Sequence, residues 1–357
     1  MGEKMSISEF NRRQSLKRFC IITALIAAVL LFAVLCLFMG SADMSLADCL
    51  STLFGGGTPA QNRILFHIRL PRVFAAIIAG AGLSVAGLIM QTVLGNQMAS
   101  PSTLGVSNAA VFGANLSIIA LSGGFLLTGN NPADFSVGAN PYTTSLLAFV
   151  FSTLSVLLIL ALCRLRAFSP GVVVLSGIAI GSVWTAATTI LQFYATDVGL
   201  SAAVVWSFGD LGRATFDTNL IMLIVVLIGA IFFMVASWKY NALLGGEATA
   251  KSLGVNVTAL RFASLLIASV ITAVCVSYLG IIGFVGIICP HIVKKLLGAD
   301  HRITIPASLL MGSLLLLLSD TFSRVIGGGA ALPVGAITSL LGAPFFIAVI
   351  FSKRRAD

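Results

Sequence analysis

An all-α, polytopic membrane domain of about ten transmembrane helices is the fold the sequence predicts, and three features predict it. Hydrophobic residues make up 58% of the 357 positions and charged residues only 9%, against about 25% charged in a soluble domain. Apolar runs of about 20 residues, the length that crosses a ~30 Å hydrocarbon core as a helix, recur almost from end to end. Within lipid a helix satisfies its own backbone groups, whereas an open sheet edge leaves them unpaired, so the runs read as helices.

The first span, about 19–40, follows a basic segment, residues 1–18. Its apolar run is too long for a signal core of about 7–15 residues and lacks an A-x-A site, so it reads as a retained span. In the outer segment 41–68, SADMSLADCL reads as a short helix capped by Ser45. Span 2, about 70–93, carries Ala76, Gly80 and Ser84 on one stripe and Gly82 and Ala86 on another. Small residues at that spacing let helices approach closely in lipid, so this span is expected to be surrounded by protein. Span 3 covers about 104–122, and the Gly-, Asn- and Pro-rich segment 122–141 reads as an irregular outer loop. Spans 4 and 5 fall at about 142–163 and 172–193, followed by a third long outer loop, 194–217. Span 6, about 218–238, leads into an inner stretch, 239–261. Spans 7 to 10 lie at about 262–279, 281–297, 304–325 and 332–351, the eighth being short. Residues 1–357 thus read as one membrane domain.

Charge orients it. With the N-terminus in the cytoplasm, sixteen Lys and Arg fall inside and five outside: Arg63, Arg69, Arg72, Arg213 and Arg324. This asymmetry follows the positive-inside rule, fits an even span count with both termini cytoplasmic, and accounts for the net charge of +9 without nucleic acid. The six cysteines lack CxxC spacing and read as small buried hydrophobes. His67, His291 and His301 are scattered and grouped with no carboxylates, so no metal site is implied.

The stretch LLGGEATAKS, residues 243–252, comes close to a P-loop, G-x-x-x-x-G-K-[ST]. Ala250 stands where the second glycine belongs, and the preceding run is a membrane span rather than the strand that such a loop leaves. The chain is not expected to bind ATP itself. The segment resembles a cytoplasmic coupling loop, a short amphipathic helix G-E-x-x-A-x-x-L-G made of Gly246, Glu247, Ala250, Leu253 and Gly254. Such a helix lies across a partner's groove, with Glu247 favouring its N-terminus. A solvated connecting helix is the alternative reading of the same residues.

Four motifs occur in order: IRLPRVFAAIIAGAGLSVAGLIMQ, GNQMASPSTLGVS, GFVGIICPHIVKKLLGADHR and LPVGAITSLLGAPFF. Over roughly Arg69 to Phe351 the chain resembles the FecCD family of ABC-transporter permeases, which import iron–siderophore complexes, haem and cobalamin. The resemblance implies a permease subunit in the inner membrane of a prokaryote. It pairs with a second permease subunit, most simply its own copy, and with two cytoplasmic ATPase subunits and an extracytoplasmic substrate-binding protein. No cofactor is expected on this chain, since ATP and Mg sit on the partner ATPase. The near absence of intramembrane charge suits external energy better than ion coupling, for which buried ionisable groups are usual; only Asp320 and Arg324 come close. An ion-coupled transporter or channel is the second reading, and an intramembrane enzyme the third, with neither HExxH nor paired carboxylates in its support.

On this basis a cytoplasmic gate is expected at Asn96, Gln97 and Met98, with Met98 as a flexible apolar plug and Asn96 facing its symmetry mate. Ser169, Pro170 and Gly171, at the inner end of span 5, are the companion constriction. The binding protein is expected to dock on Arg69, Arg72 and Arg324. The first two put cations at a helix N-terminus, which favours anions, and on the side the positive-inside rule disfavours. Lipid phosphate or a local carbonyl is the alternative partner for each. Two motifs depart from the family: Asn96-Gln97-Met98 replaces the usual Asn-Pro-Leu, and Ala331-Leu332-Pro333 the usual Glu-Leu-Pro.

Overall fold

The computed structural model describes residues 7–39, 44–122, 140–165, 169–326 and 332–352. Most of the expected loop 122–141 lies outside these residues, as do Lys4, Arg166, Ala331, Lys353, Arg354 and Arg355.

Helix α1 (Ile7–Phe38) is followed by two short helices, α2 (Leu46–Leu53) and α3 (Pro59–Ile64). The expected cap forms: the Ser45 hydroxyl accepts from the Asp48 N–H at 3.1 Å, and the Asp48 carboxylate accepts from the Ser45 N–H at 3.0 Å. This capping box satisfies two otherwise orphaned donors. A wide turn at 65–69 joins α3 to α4 (Leu70–Val93), giving one apolar segment, Pro59–Val93. Next come α5 (Val106–Asn115), α6 (Pro141–Leu165) and α7 (Pro170–Phe193). The segment 194–217, expected as loop, instead contains α8 (Asp197–Ser207), started by Thr196 accepting from the Gly199 N–H. The remainder is α9 (Phe216–Val235), α10 (Ser237–Leu244), α11 (Glu247–Ser252), α12 (Val257–Leu279), α13 (Val285–Leu297), α14 (His301–Ile326) and α15 (Val334–Ser352). Among the described residues the regular structure is helical throughout.

Each expected span overlaps a helix, but among the described residues seven helical segments have the length and hydropathy to cross a membrane. Of the other three, Val106–Leu121 and Val285–Leu297 are short, while α15 runs for 19 residues, Val334–Ser352. In α13 the cause is local. Gly280 (φ 79°) ends α12, and Phe284 (φ 65°) restarts the chain in the left-handed region that non-glycine residues seldom occupy. The 13 residues that follow reach roughly 20 Å at about 1.5 Å per residue, short of a full crossing.

Helix α4 is the centre of the bundle. In its most apolar stretch 83% of residues are buried, against 17% in α1. The small-residue stripes explain this: a Cβ on Gly80 would strike the Gly312 backbone of α14, and one on Gly87 would strike Gly286 of α13. Gly82 lies against Val226 and Ile271, on α9 and α12. Long-range contacts sort the connections into two ends. Residues 36–39, 69–72, 210 and 320–324 meet at one, and 92–93, 241, 247, 261 and 300–301 at the other. Helix α4 therefore runs from the first end to the second, and α14 runs back. In the orientation expected from Lys and Arg, these are the outer and inner ends.

Candidate functional site

At the inner end, Gly95 (φ 57°) turns the chain away from α4. Asn96 Oδ1 accepts from the Met98 N–H at 2.9 Å, a local side-chain turn. It leaves Met98 51% exposed, with Gln97 also at the surface. One lone pair of the Asn96 side-chain oxygen is thus engaged within the loop. A cavity of about 380 Å³ lies beside this loop, lined by Asn96, Met98, Ser102 and Asn108 and, across it, Gly177 and Ser182 of α7. Ser169 caps α7, accepting from the Val172 N–H at 3.4 Å, and Pro170 occupies the first turn. Ser169, Pro170 and Gly171 do not line the cavity, whose α7 wall runs from Val174 to Ser182.

The segment 239–256 folds back on the bundle. Gly246 (φ 101°) opens α11 and Gly254 (φ 80°) follows its end, so the chain reverses on both sides of a single helical turn and a half. Ala250 is fully buried against the rest of the chain, and its carbonyl accepts from the Val255 N–H at 3.0 Å. This corrects the expectation that Ala250 meets a partner: the reversal at Gly254 turns it inward. Leu253 (59% exposed) and Leu244 (49%) hold the free apolar surface instead. Glu247 pairs with Lys251 at 2.9 Å and Arg261 at 3.0 Å. The hydrogen bond from Lys251, then the charge of Arg261, holds the Glu247 carboxyl below its ordinary pKa. Where a P-loop needs a strand, the chain has helix α10.

At the outer end the structure brings Arg69, Arg72 and Arg324 together and turns them inward. Asp320, fully buried, accepts from Arg72 Nε at 2.7 Å and pairs with Arg324 Nη2 at 2.9 Å. Arg324 Nη1 also donates to the Cys36 carbonyl at 2.9 Å. Arg69 Nη1 donates to the Leu37 carbonyl at 2.6 Å and lies 3.6 Å from Cys49 Sγ. Arg69 and Arg72 are 4% and 8% exposed. The three cations are therefore not free surface charges: local carbonyls and two carboxylates, Asp320 and Asp210, take them up, because charge buried near lipid is tolerated only when paired. Arg72 Nη2 has no hydrogen-bond partner among the described residues.

The sequence reading missed two inner-end groups. Arg261 was counted only as a loop cation and His301 only as an isolated ring, yet both are buried and bridge separate helices. Their partners lie 168 and 209 positions away, so no local pattern marks them.

The helices pack around α4, and a cavity lined by small and polar residues lies between the Met98 loop and α7. Residues 26–352 match the model of the FecCD transport family. A Methanocaldococcus jannaschii protein named as an ABC transporter permease is 43% identical over 344 residues, covering 96% of this chain and 97% of the relative. The hemin transport system permease protein of Yersinia pestis is 33% identical, covering 92% and 96%. A solved transporter described as metal-chelate type and captured facing inward superposes with a TM-score of 0.80 at 26% identity, over 93% of this chain and 99% of that one. The chain belongs to the FecCD transport family, as its four motifs implied.

Proposed function

We propose that this chain is the membrane-spanning subunit of a binding-protein-dependent ABC importer carrying a ferric siderophore across a prokaryotic inner membrane. It has ten spans, counting α5, α13 and α15 with the seven longer helices, and cytoplasmic termini. Two copies form the path, two separate ATPase subunits dock on the inner end, and a substrate-binding protein docks on the outer end.

The surface of α7 carries this reading. Gly171, Ser182, Thr185, Ala186 and Thr189 are exposed along it beside Leu175 and Ile178, a mixed polar and apolar face that suits a second copy or a wet path. The hydroxyls of Ser182, Thr185 and Thr189 donate to carbonyls of the preceding turn at 2.9–3.0 Å. With those donors engaged, the wall offers a polar chelate little to hold on to, which suits passage rather than storage. Asn96, Gln97 and Met98 close the path from inside, with Ser169, Pro170 and Gly171 at its inner rim. Gly246, Glu247, Leu253 and Gly254 face the ATPase, and Ala250 anchors their turn from beneath. At the outer end Arg69, Arg72 and Arg324 shape the docking surface from beneath, through the carbonyls and carboxylates they hold in place.

Haem is the second cargo, favoured by the likeness to the Yersinia pestis hemin permease. Uptake of labelled ferric siderophore, haem and cobalamin into proteoliposomes holding the assembled transporter separates them. Uptake of the ferric siderophore alone is expected, and its absence beside haem or cobalamin uptake would overturn the cargo assignment.

A further inference from the structure

Two polar clasps join the segment 239–256 to the last turn of α4, and both end just before the loop that carries Met98. Arg261 of α12 makes the first. Its Nε donates to the Val93 carbonyl at 3.0 Å, and its Nη2 pairs with Glu247 Oε2 at 3.0 Å. One guanidinium thus holds the first residue of α11 and the last residue of α4. His301 makes the second. Asn241 of α10 donates its Nδ2–H to Asp300 Oδ1 at 2.7 Å. Its Oδ1 is left to accept from the His301 backbone N–H at 2.8 Å and from ring Nδ1 at 2.9 Å. With the proton on Nδ1, Nε2 of the neutral ring faces the Thr92 hydroxyl at 2.8 Å, whose single proton is shared with the Leu88 carbonyl at 2.9 Å. Gln91, one residue earlier, accepts from Lys294 of α13 at 3.2 Å. Three successive residues of α4 are gripped by side chains from three other helices.

Capping explains part of this, since a helix C-terminus leaves carbonyls unpaired and favours a cation. Capping does not require the same guanidinium to hold a carboxylate on α11. Nor does it require a second chain of hydrogen bonds from α10 to the neighbouring residue. Because α10 and α11 flank the turn at Gly245 and Gly246, both clasps lead from one short segment to one helix end.

We propose that Arg261 is a positioning residue for transport: supported by the Asn241–His301–Thr92 chain, it carries a displacement of α10 and α11 to the end of α4 and so to the Met98 loop. The inference rests on the reading of 239–256 as the ATPase-facing segment. The planar guanidinium donates along fixed directions from two edges, so Glu247 and Val93 cannot separate without breaking a bond. A lysine keeps the charge but ends in a single nitrogen on a flexible stem, and it cannot hold both partners rigidly.

The test uses the permease–ATPase complex in proteoliposomes, in a Cys20→Ser, Met98→Cys background, since Cys20 is the exposed cysteine among the described residues. Maleimide labelling at position 98 is measured with and without a non-hydrolysable ATP analogue, beside the ATP hydrolysis rate. In the parent, nucleotide should change the labelling rate about tenfold. In Arg261→Lys the ATPase should still co-purify and hydrolyse ATP, while the nucleotide effect on labelling falls below twofold. A purely structural role would lower assembly and hydrolysis together and leave that response in the complexes that form. Parent-like labelling in Arg261→Lys overturns the proposal. Should that variant fail to accumulate, Glu247→Gln, altered at a half-exposed side chain, decides in its place: a reduced response supports the clasp and an unchanged one overturns it. If the parent itself retains no ATPase, the clasp falls together with the permease reading, a result distinct from a parent-like Arg261→Lys.

Discussion

Asp320 is the residue on which the outer end depends, because one buried carboxylate pairs with both Arg72 and Arg324. Removing one partner of a buried ion pair costs about 3–5 kcal/mol, since it strands the other charge. Asp320→Asn should therefore lower the thermal unfolding midpoint of the detergent-purified protein by several degrees, and an unchanged midpoint would show that the arginines find other partners. Asp320 and Arg324 were legible as a pair one turn apart, and Arg72 was legible as a cation in the wrong place. Their union was not, because 248 positions separate Arg72 from Asp320 and only the fold supplies that contact. Glu247 gives a second expectation. Its carboxyl pKa is lowered in the folded chain, first by Lys251 and then by Arg261. Its contribution to holding α11 is thus fully present above the unfolded carboxyl value of about 4.3 and is lost as pH falls through the lower, folded value. Backbone hydrogen exchange in 247–255 should stay constant from neutral pH down to about 5, after correction for intrinsic rates, and rise only below about 4. Loosening already near pH 6 would point to another group.

At the scale of the helices, close approach around α4 decides what is tolerated. Gly80 and Gly87 lie where a Cβ would meet backbone of α14 and α13, so neither neighbour can yield by a rotamer change. Gly87→Val should cost about 1–3 kcal/mol or more through overpacking. Gly171→Ala meets no neighbour within 4 Å and should be neutral in stability; both are read from thermal unfolding. The stripes that place α4 at the centre were visible in the sequence, because small residues at helical spacing have one physical use in lipid. The shortness of α13 and the existence of α8 were less so. Phe284 adopts a left-handed conformation that its residue type gives no reason to expect, and α8 is as apolar as a core helix but too short to span. The surface of α11 was legible in part: Glu247 and Leu253 are exposed, but Ala250 is covered by its own chain. Leu253→Asp should accordingly weaken ATPase co-purification by tenfold or more while the permease folds normally, and undiminished co-purification would move the contact elsewhere.

For the molecule as a whole, orientation and energy source are the decisive properties. On the proposed topology of ten spans with cytoplasmic termini, which the sixteen-to-five distribution of Lys and Arg favours, residues 239–256 lie on the side where ATP is available. A membrane-impermeant thiol reagent should then reach Leu253→Cys only in inside-out vesicles. The proposed use of a separate ATPase leaves no part for an ion gradient. Among the described residues, the buried acid Asp320 is neutralised by two arginines and has no free role as a proton carrier. The central claim is that this permease moves its cargo with energy from a separate ATPase. Its most direct measurement is uptake of a labelled ferric siderophore by proteoliposomes containing the permease, its ATPase and its binding protein, with ATP inside or outside and with proton and sodium gradients collapsed. The account predicts uptake that requires ATP on the ATPase side and the binding protein on the other, and that is unchanged by loss of either gradient. Uptake by the permease alone, driven by an ion gradient and indifferent to ATP, would contradict it.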